Sequence, residues 1–256
     1  MFLFNELRNL YKFYRINKFN SLNRIYIKNL KMHNLQNLTL LIPANKESES
    51  LPIFLSELKE YSCKKLVVLQ KEDIETINSI SKFNEIEVFI QKNKGYGNAL
   101  IEGIEKITTD YFCIINADGS MNPIYLNEML KNCEKNDLVF ATRYAKGGGS
   151  DDDNFITLFG NKFFSFLGNL LFKLSLSDIL YTYVLGKTIS AKNLKLKYYD
   201  FRICVELPIK AKLNSLKFIS CPSIERKRIA GKKKVNAIKD GFLILTAIII
   251  LFLKKS

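Results

Sequence analysis

Histidine and cysteine are scarce in this 256-residue chain, and their positions suit neither metal binding nor disulfide bonding. The single histidine, His33, excludes a histidine-rich metal site and argues against histidine-based catalysis. None of the five cysteines forms a C-x-x-C pair, and three of them lie inside apolar runs. This pattern predicts reduced, mostly buried thiols in a cytosolic protein, not a disulfide framework or a zinc site.

Acidic residues are also in deficit, with 25 Asp and Glu against 39 Lys and Arg and a net charge of +14. A chain with this balance is expected to meet an anionic partner, which could be nucleic acid, a phosphorylated substrate or an anionic membrane. Met1–Leu10 lacks a long apolar core and carries Glu6 and Arg8, so we expect no signal peptide.

From residue 38 onward, short apolar stretches alternate with segments of helical pattern, and 47% of the residues are hydrophobic. The pattern predicts strands over 38–42, 65–69, 86–90, 111–115, 137–141 and 216–221, and helices over 49–61, 74–81, 98–107, 124–133, 156–174 and 202–212. Strands separated by helices of this length require a mostly parallel sheet covered on both faces. The sequence therefore predicts one α/β domain over residues 38–240.

The segment Tyr111–Pro123 combines a predicted buried strand with a cluster of oxygen ligands. Asn116, Asp118 and Ser120 occupy alternate positions, which point the same way on an extended chain. Open α/β sheets bind ligands at the carboxyl ends of their strands. A Mg²⁺ or Mn²⁺ ion that arrives with phosphates suits such a site, because Mg²⁺ takes only one or two protein carboxylates. An ordinary Asp-Gly turn is the alternative.

Two further segments rich in glycine invite a functional interpretation. The turn Asn93–Gly97 leads into a predicted helix whose free N–H groups are expected to face a phosphate, and a purely structural tight turn is the alternative. Three adjacent acids, Asp151, Asp152 and Asp153, follow a run of glycines in Lys146–Asp153. We interpret this second segment as a solvated, mobile loop in preference to a second metal site.

Both ends of the chain have a composition that suits lipid. Residues 1–37 carry seven Lys or Arg against one acid, interleaved with Phe and Tyr, and predict an amphipathic extension on an anionic membrane or on the domain itself. Residues 241–256 include the apolar stretch Phe242–Leu253, whose twelve residues are too few for a bilayer span of about 20. We favour a membrane-interfacial helix there over one docked on the core. Because the basic clusters adjoin apolar runs, nucleic acid is not an expected partner.

Five motifs occur in an order and spacing that resemble one family. They are I-P-A-N-K-E-S-E-S-L-P (42–52), N-K-G-Y-G-N-A-L-I-E-G (93–103), N-A-D-G-S-M-N-P (116–123), A-T-R-Y-x-x-G-G (141–148) and E-R-K-R-I-A-G-K-K-K (225–234). They resemble family 2 glycosyltransferases, in particular the dolichyl- or undecaprenyl-phosphate sugar synthases. The resemblance implies the GT-A fold, a Rossmann-like α/β/α sandwich, and inverting transfer of a sugar from a nucleotide-diphosphate donor.

The resemblance also implies roles for individual residues. The nucleotide-sugar site would include Pro43, Ala44, Glu47, Gln70, Gly95, Gly97, Asn116 and Asp118. Asp118 would hold Mg²⁺ or Mn²⁺, with Asn116 and Ser120 as neutral ligands. The acceptor phosphate would meet Arg143, Ser165, Arg228 and Lys234. Asp118 and Arg143 would be the catalytic pair.

The chain departs from the family pattern at four places. Asn116 replaces the first acid of the D-x-D motif, so the metal would have one charged protein ligand. Asn45 and Lys46 stand where the family usually has Tyr-Asn, and Gln70 follows the second strand where an acid is usual. Asn161 replaces a second acceptor-side Arg. These differences concern the metal ligands and the recognition of the donor base, for which uridine and guanosine are the two alternatives.

The acceptor decides whether a general base is required. A lipid phosphate is already ionised near neutral pH, so it needs none. A sugar hydroxyl needs a carboxylate base, for which Asp178 and Glu206 are the candidates. The first expectation is a polyprenyl-phosphate acceptor at the cytoplasmic face of the membrane. The alternatives are a glycan hydroxyl, as in lipopolysaccharide synthesis, and a non-catalytic basic module that binds membranes.

Overall fold

The computed structural model describes residues 35–231, 234 and 236–254, which belong to one compact unit. The predicted extension over residues 1–37 lies almost wholly outside these residues. Seven strands form the main sheet: β1 (Leu38–Pro43), β2 (Lys64–Leu69), β3 (Glu87–Ile90), β4 (Tyr111–Ile114), β5 (Leu138–Thr142), β7 (Val184–Lys187) and β8 (Phe218–Pro222). Two short strands, β6 (Gly149–Ser150) and β9 (Ile224–Glu225), pair with each other.

Eight α-helices are described in the same part of the chain. They are α1 (Ser50–Leu58), α2 (Ile74–Ser79), α3 (Tyr96–Lys106), α4 (Leu126–Cys133), α5 (Phe155–Phe172), α6 (Thr188–Asn193), α7 (Ile203–Leu213) and α8 (Ala237–Leu253). Side-chain caps fix several of the starts, since Asp73, Asn154 and Asn236 each accept a backbone N–H of the first turn. The predicted helices and strands are confirmed in order, with ends that shift by a few residues.

The main sheet has the strand order β3-β2-β1-β4-β7-β5-β8. Strands β3, β2, β1 and β4 pair in parallel, and so do β5 and β8. β7 is antiparallel to both β4 and β5, with Phe112 opposite Gly186 and Val139 opposite Leu185. The predicted α/β class with a mostly parallel sheet is thus confirmed.

β7 was not predicted, because it is only four residues long and follows no helix of the alternating pattern. Its Gly186 has a packing reason: a Cβ there would lie 2.3 Å from Leu138 Cδ2 and 2.9 Å from the carbonyl oxygen of Asp137. The close approach of β7 to β5 therefore requires glycine at this position.

The core consists of two apolar layers, one on each face of the sheet. Alternate residues of β1 point into opposite layers, Leu41 into one and Leu40 and Ile42 into the other. Helices α3, α5, α6, α7 and α8 cover the first layer, and α1 and α4 cover the second. This division puts α8 and α1 on opposite sides of the sheet.

The C-terminal helix α8 is docked on the core along one face. Ile244, Ala247, Ile248 and Leu251 are buried in the first apolar layer, whereas Phe242 and Leu253 are exposed. The expectation of an interfacial helix not docked on the core was therefore incomplete, because a helix that is apolar all round can pack with one face and leave the other free. Among the described helices, α5 alone is long and apolar enough to cross a membrane, judged by length and composition only.

Candidate active site

The carboxyl ends of four strands of the sheet open into one cavity of about 450 Å³. Gln70 follows β2, Pro43 ends β1, Asn116 and Asp118 follow β4, and Arg143 follows β5. Because parallel strands end at the same edge, these side chains converge although they are far apart in the sequence. The structure thus brings together most of the residues predicted for the donor and the acceptor ends of the site, while Gly97 and Ser165 do not line the cavity.

Asp118 lies at the centre of this edge, and hydrogen bonds from Ser120 orient its carboxylate. Its Oδ1 accepts hydrogen bonds from the backbone N–H of Ser120 (3.0 Å) and from Ser120 Oγ (2.8 Å). Its Oδ2 lies 3.4 Å from a guanidinium nitrogen of Arg228. Ser120 itself is buried, because Gly119 adopts a positive φ of 71° and turns the chain. The expectation that Asn116, Asp118 and Ser120 point the same way was wrong for Ser120. Its side chain is buried beneath Asp118 and donates a hydrogen bond to it.

Asn116 lines the cavity beside Asp118 and belongs to a short hydrogen-bonded chain. Tyr96 Oη donates to Asn116 Oδ1 (3.3 Å) and lies 2.7 Å from Thr182 Oγ1. The Tyr96 ring stacks on Phe201, with ring centroids 5.0 Å apart. Burial raises the pKa of Tyr96 well above its usual value, so its hydroxyl stays protonated and remains a donor. The hydrogen bond from Tyr96 therefore fixes the orientation of the Asn116 amide, with Oδ1 as the acceptor.

Arg143 is buried among three carboxylates. Its guanidinium forms a two-point pair with Asp178 (2.7 and 3.1 Å) and further contacts with Glu225 (3.2 Å) and Asp153 (3.5 Å). Burial disfavours the charge, but the attraction and hydrogen bonds of Asp178, together with the attraction of Glu225, outweigh it and hold the pKa of Arg143 well above its usual value. Arg143 therefore lines the cavity and holds these three carboxylates together. We call this group of acids the acidic wall.

A basic segment, Arg226–Gly231 with Lys234, lies along the turn that carries Asp118. The N–H groups of Arg226 and Ile229 donate to the carbonyl oxygens of Ser120 and Asp118, both at 2.8 Å. Arg228 contacts Asp118 and also Asp152 (3.1 Å). Lys234 forms an ion pair with Glu47. The segment thus places two cations at the cavity, each held by a carboxylate.

Gly95 and Gly97 allow a close approach of two backbones. A Cβ at Gly95 would lie 2.2 Å from the carbonyl oxygen of Tyr199, and one at Gly97 would lie 2.1 Å from that of Tyr198. The N–H groups of Gly97 and Asn98 donate to Tyr199 O (2.9 and 3.3 Å). The expectation that this helix start offers free N–H groups to a phosphate was therefore wrong for these two groups, whose partner is the neighbouring loop.

Gly97→Ala is expected to destabilise the fold by about 1–3 kcal/mol, because the new methyl group overlaps backbone that cannot move aside. Gly160→Ala is the matched control: within α5 a Cβ at position 160 meets nothing within 4 Å, so the change should stabilise by about 0.5–1 kcal/mol. Chemical denaturation of both variants measures the difference, and equal effects of one sign would contradict the packing role of Gly97.

The β1 and β2 end of the cavity is polar and uncharged apart from Glu47. Its lining includes Pro43, Ala44, Asn45, Gln70 and Gln91. The side-chain nitrogen of Gln91 donates to Gly95 O at 3.2 Å, which ties it to the glycine turn. Glu47 accepts a hydrogen bond from Ser50 Oγ (2.5 Å) in addition to its ion pair with Lys234.

Three predicted site residues are buried in other contacts. Ser165 Oγ accepts the N–H of Ile179 (3.1 Å) and donates to Asn161 O (2.8 Å). Glu206 accepts the N–H groups of Lys197 and Tyr198 and pairs with Lys210 (2.8 Å). Asp178 uses both oxygens to bind Arg143. The structure gives these residues positioning roles and brings none of the three into the cavity lining.

The cavity also contains acids that the sequence reasoning did not assign to the site. Asp152, Asp153 and Glu225 line it, and Ser150 Oγ donates to Glu225 (2.5 Å). Two of them belong to the acid triplet after the glycines, for which the sequence predicts a solvated loop. Pairing of β6 with β9 holds this segment against Glu225 instead. Burial raises the pKa of Glu225 although Arg143 opposes the shift.

The residues at the cavity fit a divalent cation of the Mg²⁺ or Mn²⁺ type. Asp118 and Asn116 present carboxylate and amide oxygens, and Asp118 together with Asp152 already attracts the cation of Arg228. No group of three or more His, Cys, Asp or Glu suited to a metal occurs among the described residues. The protein would thus supply one or two charged ligands and leave the others to a substrate.

A mostly parallel α/β sheet with a charged cavity at the carboxyl ends of its strands defines a class of ligand-binding α/β proteins. The model of glycosyl transferase family 2 matches residues 39–194, and the chain belongs to this family. Uncharacterised glycosyltransferases of Mycobacterium bovis and Mycobacterium tuberculosis are 27% identical to it over 111 residues, which is 43% of this chain. The match spans half the length of these curated relatives.

Solved structures confirm the GT-A-type fold. Glucosyl-3-phosphoglycerate synthase from M. tuberculosis, in complex with Mn²⁺, UDP and phosphoglyceric acid, has a TM-score of 0.59 at 14% identity and covers 85% of this chain and 78% of its own. The same enzyme in complex with Mg²⁺ and UDP has a TM-score of 0.58 at 14% identity, with the same coverage. At this identity the likeness shows the fold alone.

Proposed function

We propose that the protein transfers a sugar from a nucleotide-diphosphate donor to the phosphate of a polyprenyl lipid at the cytoplasmic face of the membrane. One observation carries the proposal. A single cavity joins a polar wall at β1 and β2, a central Asp118, two cations and an apolar wall that includes Leu180, Phe201 and Ile244. A nucleotide matches the first wall, a phosphate matches the cations, and an isoprenoid chain matches the last.

The donor would lie across the strand ends with its pyrophosphate near Asp118. A bound Mg²⁺ or Mn²⁺ would act as a Lewis acid on the leaving diphosphate, and Asp118 and Asn116 would hold it. The structural relatives bound to UDP with Mn²⁺ or Mg²⁺ support this choice of cofactor. Ser120 keeps Asp118 aimed at the cavity, and Tyr96 keeps Asn116 in place.

The acceptor phosphate would be positioned by Arg228 and Lys234. These cations contact Asp118, Asp152 and Glu47 in the structure, so a phosphate would bind by exchanging with carboxylates that already hold the cations at the cavity. Arg228 can contact a phosphate through two parallel N–H groups. Arg143 would not bind the acceptor phosphate directly. It would position the surrounding acids, because its own charge is shared among three of them.

The pairing of the acids supports an acceptor that is already ionised. Asp178 and Glu206, the bases considered for a hydroxyl acceptor, are buried in ion pairs. Their oxygens are already bound by Arg143, by Lys210 and by backbone N–H groups, and neither residue lines the cavity, so neither is placed to take a proton from an acceptor hydroxyl. An ionised phosphate oxygen needs no such base.

The purified full chain, supplied with Mg²⁺ or Mn²⁺ and radiolabelled UDP- or GDP-sugars, is expected to label polyprenyl phosphate but not the matching polyprenol. The product should extract into organic solvent and release its sugar in mild acid. The free alcohol is the control because it differs only in lacking the phosphate. Labelling of the alcohol, or of a glycan hydroxyl alone, would contradict the proposal.

A glycan hydroxyl is the second candidate. Glu225 lines the cavity and burial raises its pKa, and both properties suit a general base better than a non-catalytic role. If a hydroxyl is the acceptor, Glu225 is the cavity acid suited to take its proton. Glu225→Gln should then lower kcat by about 10²–10⁴-fold and remove the acid limb of the pH profile.

A further inference from the structure

The exposed apolar side chains of this protein are concentrated on two helices. Among the described residues, twenty large apolar side chains are exposed, and twelve of them lie on α5 or α8. Scattered single residues of this kind are normal on a protein surface, but a contiguous group indicates an interaction site.

On α5 the exposed residues follow the period of the helix. Phe155, Phe159, Phe163, Phe166 and Leu170 recur at steps of three and four, and Ile156 lies beside Phe155. The exposed fractions of these six residues run from 45% to 81%. The one charged residue within this stripe is Lys162. The opposite side of the helix carries the small or buried residues Ser165, Gly168 and Phe172.

The buried side ties α5 to the protein surface. Ser165 Oγ accepts the N–H of Ile179, and Asn169 exchanges two hydrogen bonds with the backbone of Leu176 (2.7 and 3.0 Å). A Cβ at Gly168 would lie 3.0 Å from Ile179. A bilayer-spanning α5 would lose these contacts, so the helix is suited to lie flat with its aromatic stripe outward, although its length and composition would allow it to cross.

Helix α8 lies beside α5 and extends the apolar area. Phe252 of α8 packs edge-to-face on Phe172 of α5, with ring centroids 5.8 Å apart, and Gly241 lies next to Phe164. The residues of α8 that do not face the core include Ile238, Phe242, Ile249, Ile250 and Leu253, all exposed. We call the exposed stripe of α5 and these five residues the α5–α8 apolar face.

The charged residues around the α5–α8 apolar face indicate which kind of partner it binds. The exposed Lys162, Lys173, Lys239 and Lys254 lie within or at the ends of the two helices. In a two-fold dimer the same face meets itself, which would bring two lysine-bearing faces together. Anionic lipid headgroups complement these lysines instead.

The two helices also line the cavity. Thr157 and Asn161 of α5 and Ile244 of α8 belong to its wall. We propose that the α5–α8 apolar face inserts into the interface of an anionic bilayer, so that the acceptor side of the cavity opens toward the lipid headgroups. The purpose of this contact rests on the proposed function, whereas the contact itself requires neither donor nor acceptor.

The chain has no tryptophan, which permits a position-specific test. Phe159→Trp places a single fluorophore on α5, and Ile53→Trp is the matched control on α1, because Ile53 is 57% exposed but lies on the other side of the sheet. The full chain is mixed with vesicles of phosphatidylglycerol and phosphatidylcholine, some brominated on the acyl chains. The emission of the fluorophore on α5 should shift to the blue and be quenched by bromine, and that of the fluorophore on α1 should do neither.

A second pair of variants measures the contribution to binding. Phe159→Glu with Phe163→Glu should weaken vesicle binding by at least about tenfold, because two aromatic side chains leave the lipid, while Ile53→Glu should leave it unchanged. No emission shift from α5, or the same shift without vesicles in a concentration-dependent dimer, overturns the proposal. Binding is measured without sugar donor, so a protein that binds vesicles but transfers nothing contradicts only the proposed function.

Discussion

Asp118→Asn is expected to lower sugar transfer by about 10³-fold, which corresponds to ~4 kcal/mol of lost transition-state stabilisation. The change keeps the shape of the side chain, and its Oδ1 can still accept the two hydrogen bonds from Ser120. What it removes is the negative charge at the centre of the strand ends, where a metal-bound diphosphate would need it. The affinity for Mn²⁺ in the presence of nucleoside diphosphate should fall in parallel.

Asp151→Asn is the control for this experiment, because Asp151 is an exposed acid outside the cavity lining. It should leave both transfer and Mn²⁺ affinity within about twofold of the wild type, as surface changes generally do. Unchanged transfer by Asp118→Asn would contradict the metal-site mechanism. Loss of transfer with unchanged Mn²⁺ affinity would give Asp118 a role other than holding the ion.

Arg143→Met is expected to destabilise the protein by about 3–5 kcal/mol at neutral pH. Methionine replaces the length of the side chain but leaves Asp178, Glu225 and Asp153 without their shared cation, and Asp178 is fully buried. A loss of this size is a large fraction of the roughly 5–15 kcal/mol by which a domain is typically stable. Chemical denaturation measures it.

The pH dependence of the stability loss in Arg143→Met shows whether the unpaired carboxylates cause it. Burial already raises the pKa of Glu225, and removal of Arg143 should raise it further. A carboxyl group whose pKa is raised by folding binds protons more readily in the folded state, so its stabilising contribution is present at low pH and is lost as the pH rises through the folded pKa. The deficit of the Met variant should therefore shrink as the pH falls from neutral into the carboxylate range.

Arg202→Met serves as the comparison, because Arg202 forms a similar two-point pair with Asp200 that is more open to solvent. Its loss should cost about 1 kcal/mol or less. A deficit of Arg143→Met no larger than that of Arg202→Met, or one that does not change with pH, would contradict the role of Arg143 as the cation of a buried acidic wall.

Local sequence patterns predicted most of the helices and strands and, within the site, the position of Asp118. The alternation of apolar strands and amphipathic helices is a local property, so it predicted the parallel sheet, and Asp118 followed because it stands directly after a buried strand. The helix α5 shows the limit of such patterns. Its composition is equally typical of a core helix, and only the packing of its neighbours leaves Phe159 and Phe166 exposed.

The sequence by itself determined the order of the strands along the chain, the family motifs and the position of Asp118 at a strand end. Only the tertiary structure decided that β7 inserts between β4 and β5, that Ser165 and Glu206 serve the scaffold, and that Asp153, Asp178 and Glu225 gather around Arg143. The reason is physical: periodicity reports which face of a segment is apolar, whereas ion pairs and burial depend on partners as many as 187 residues away.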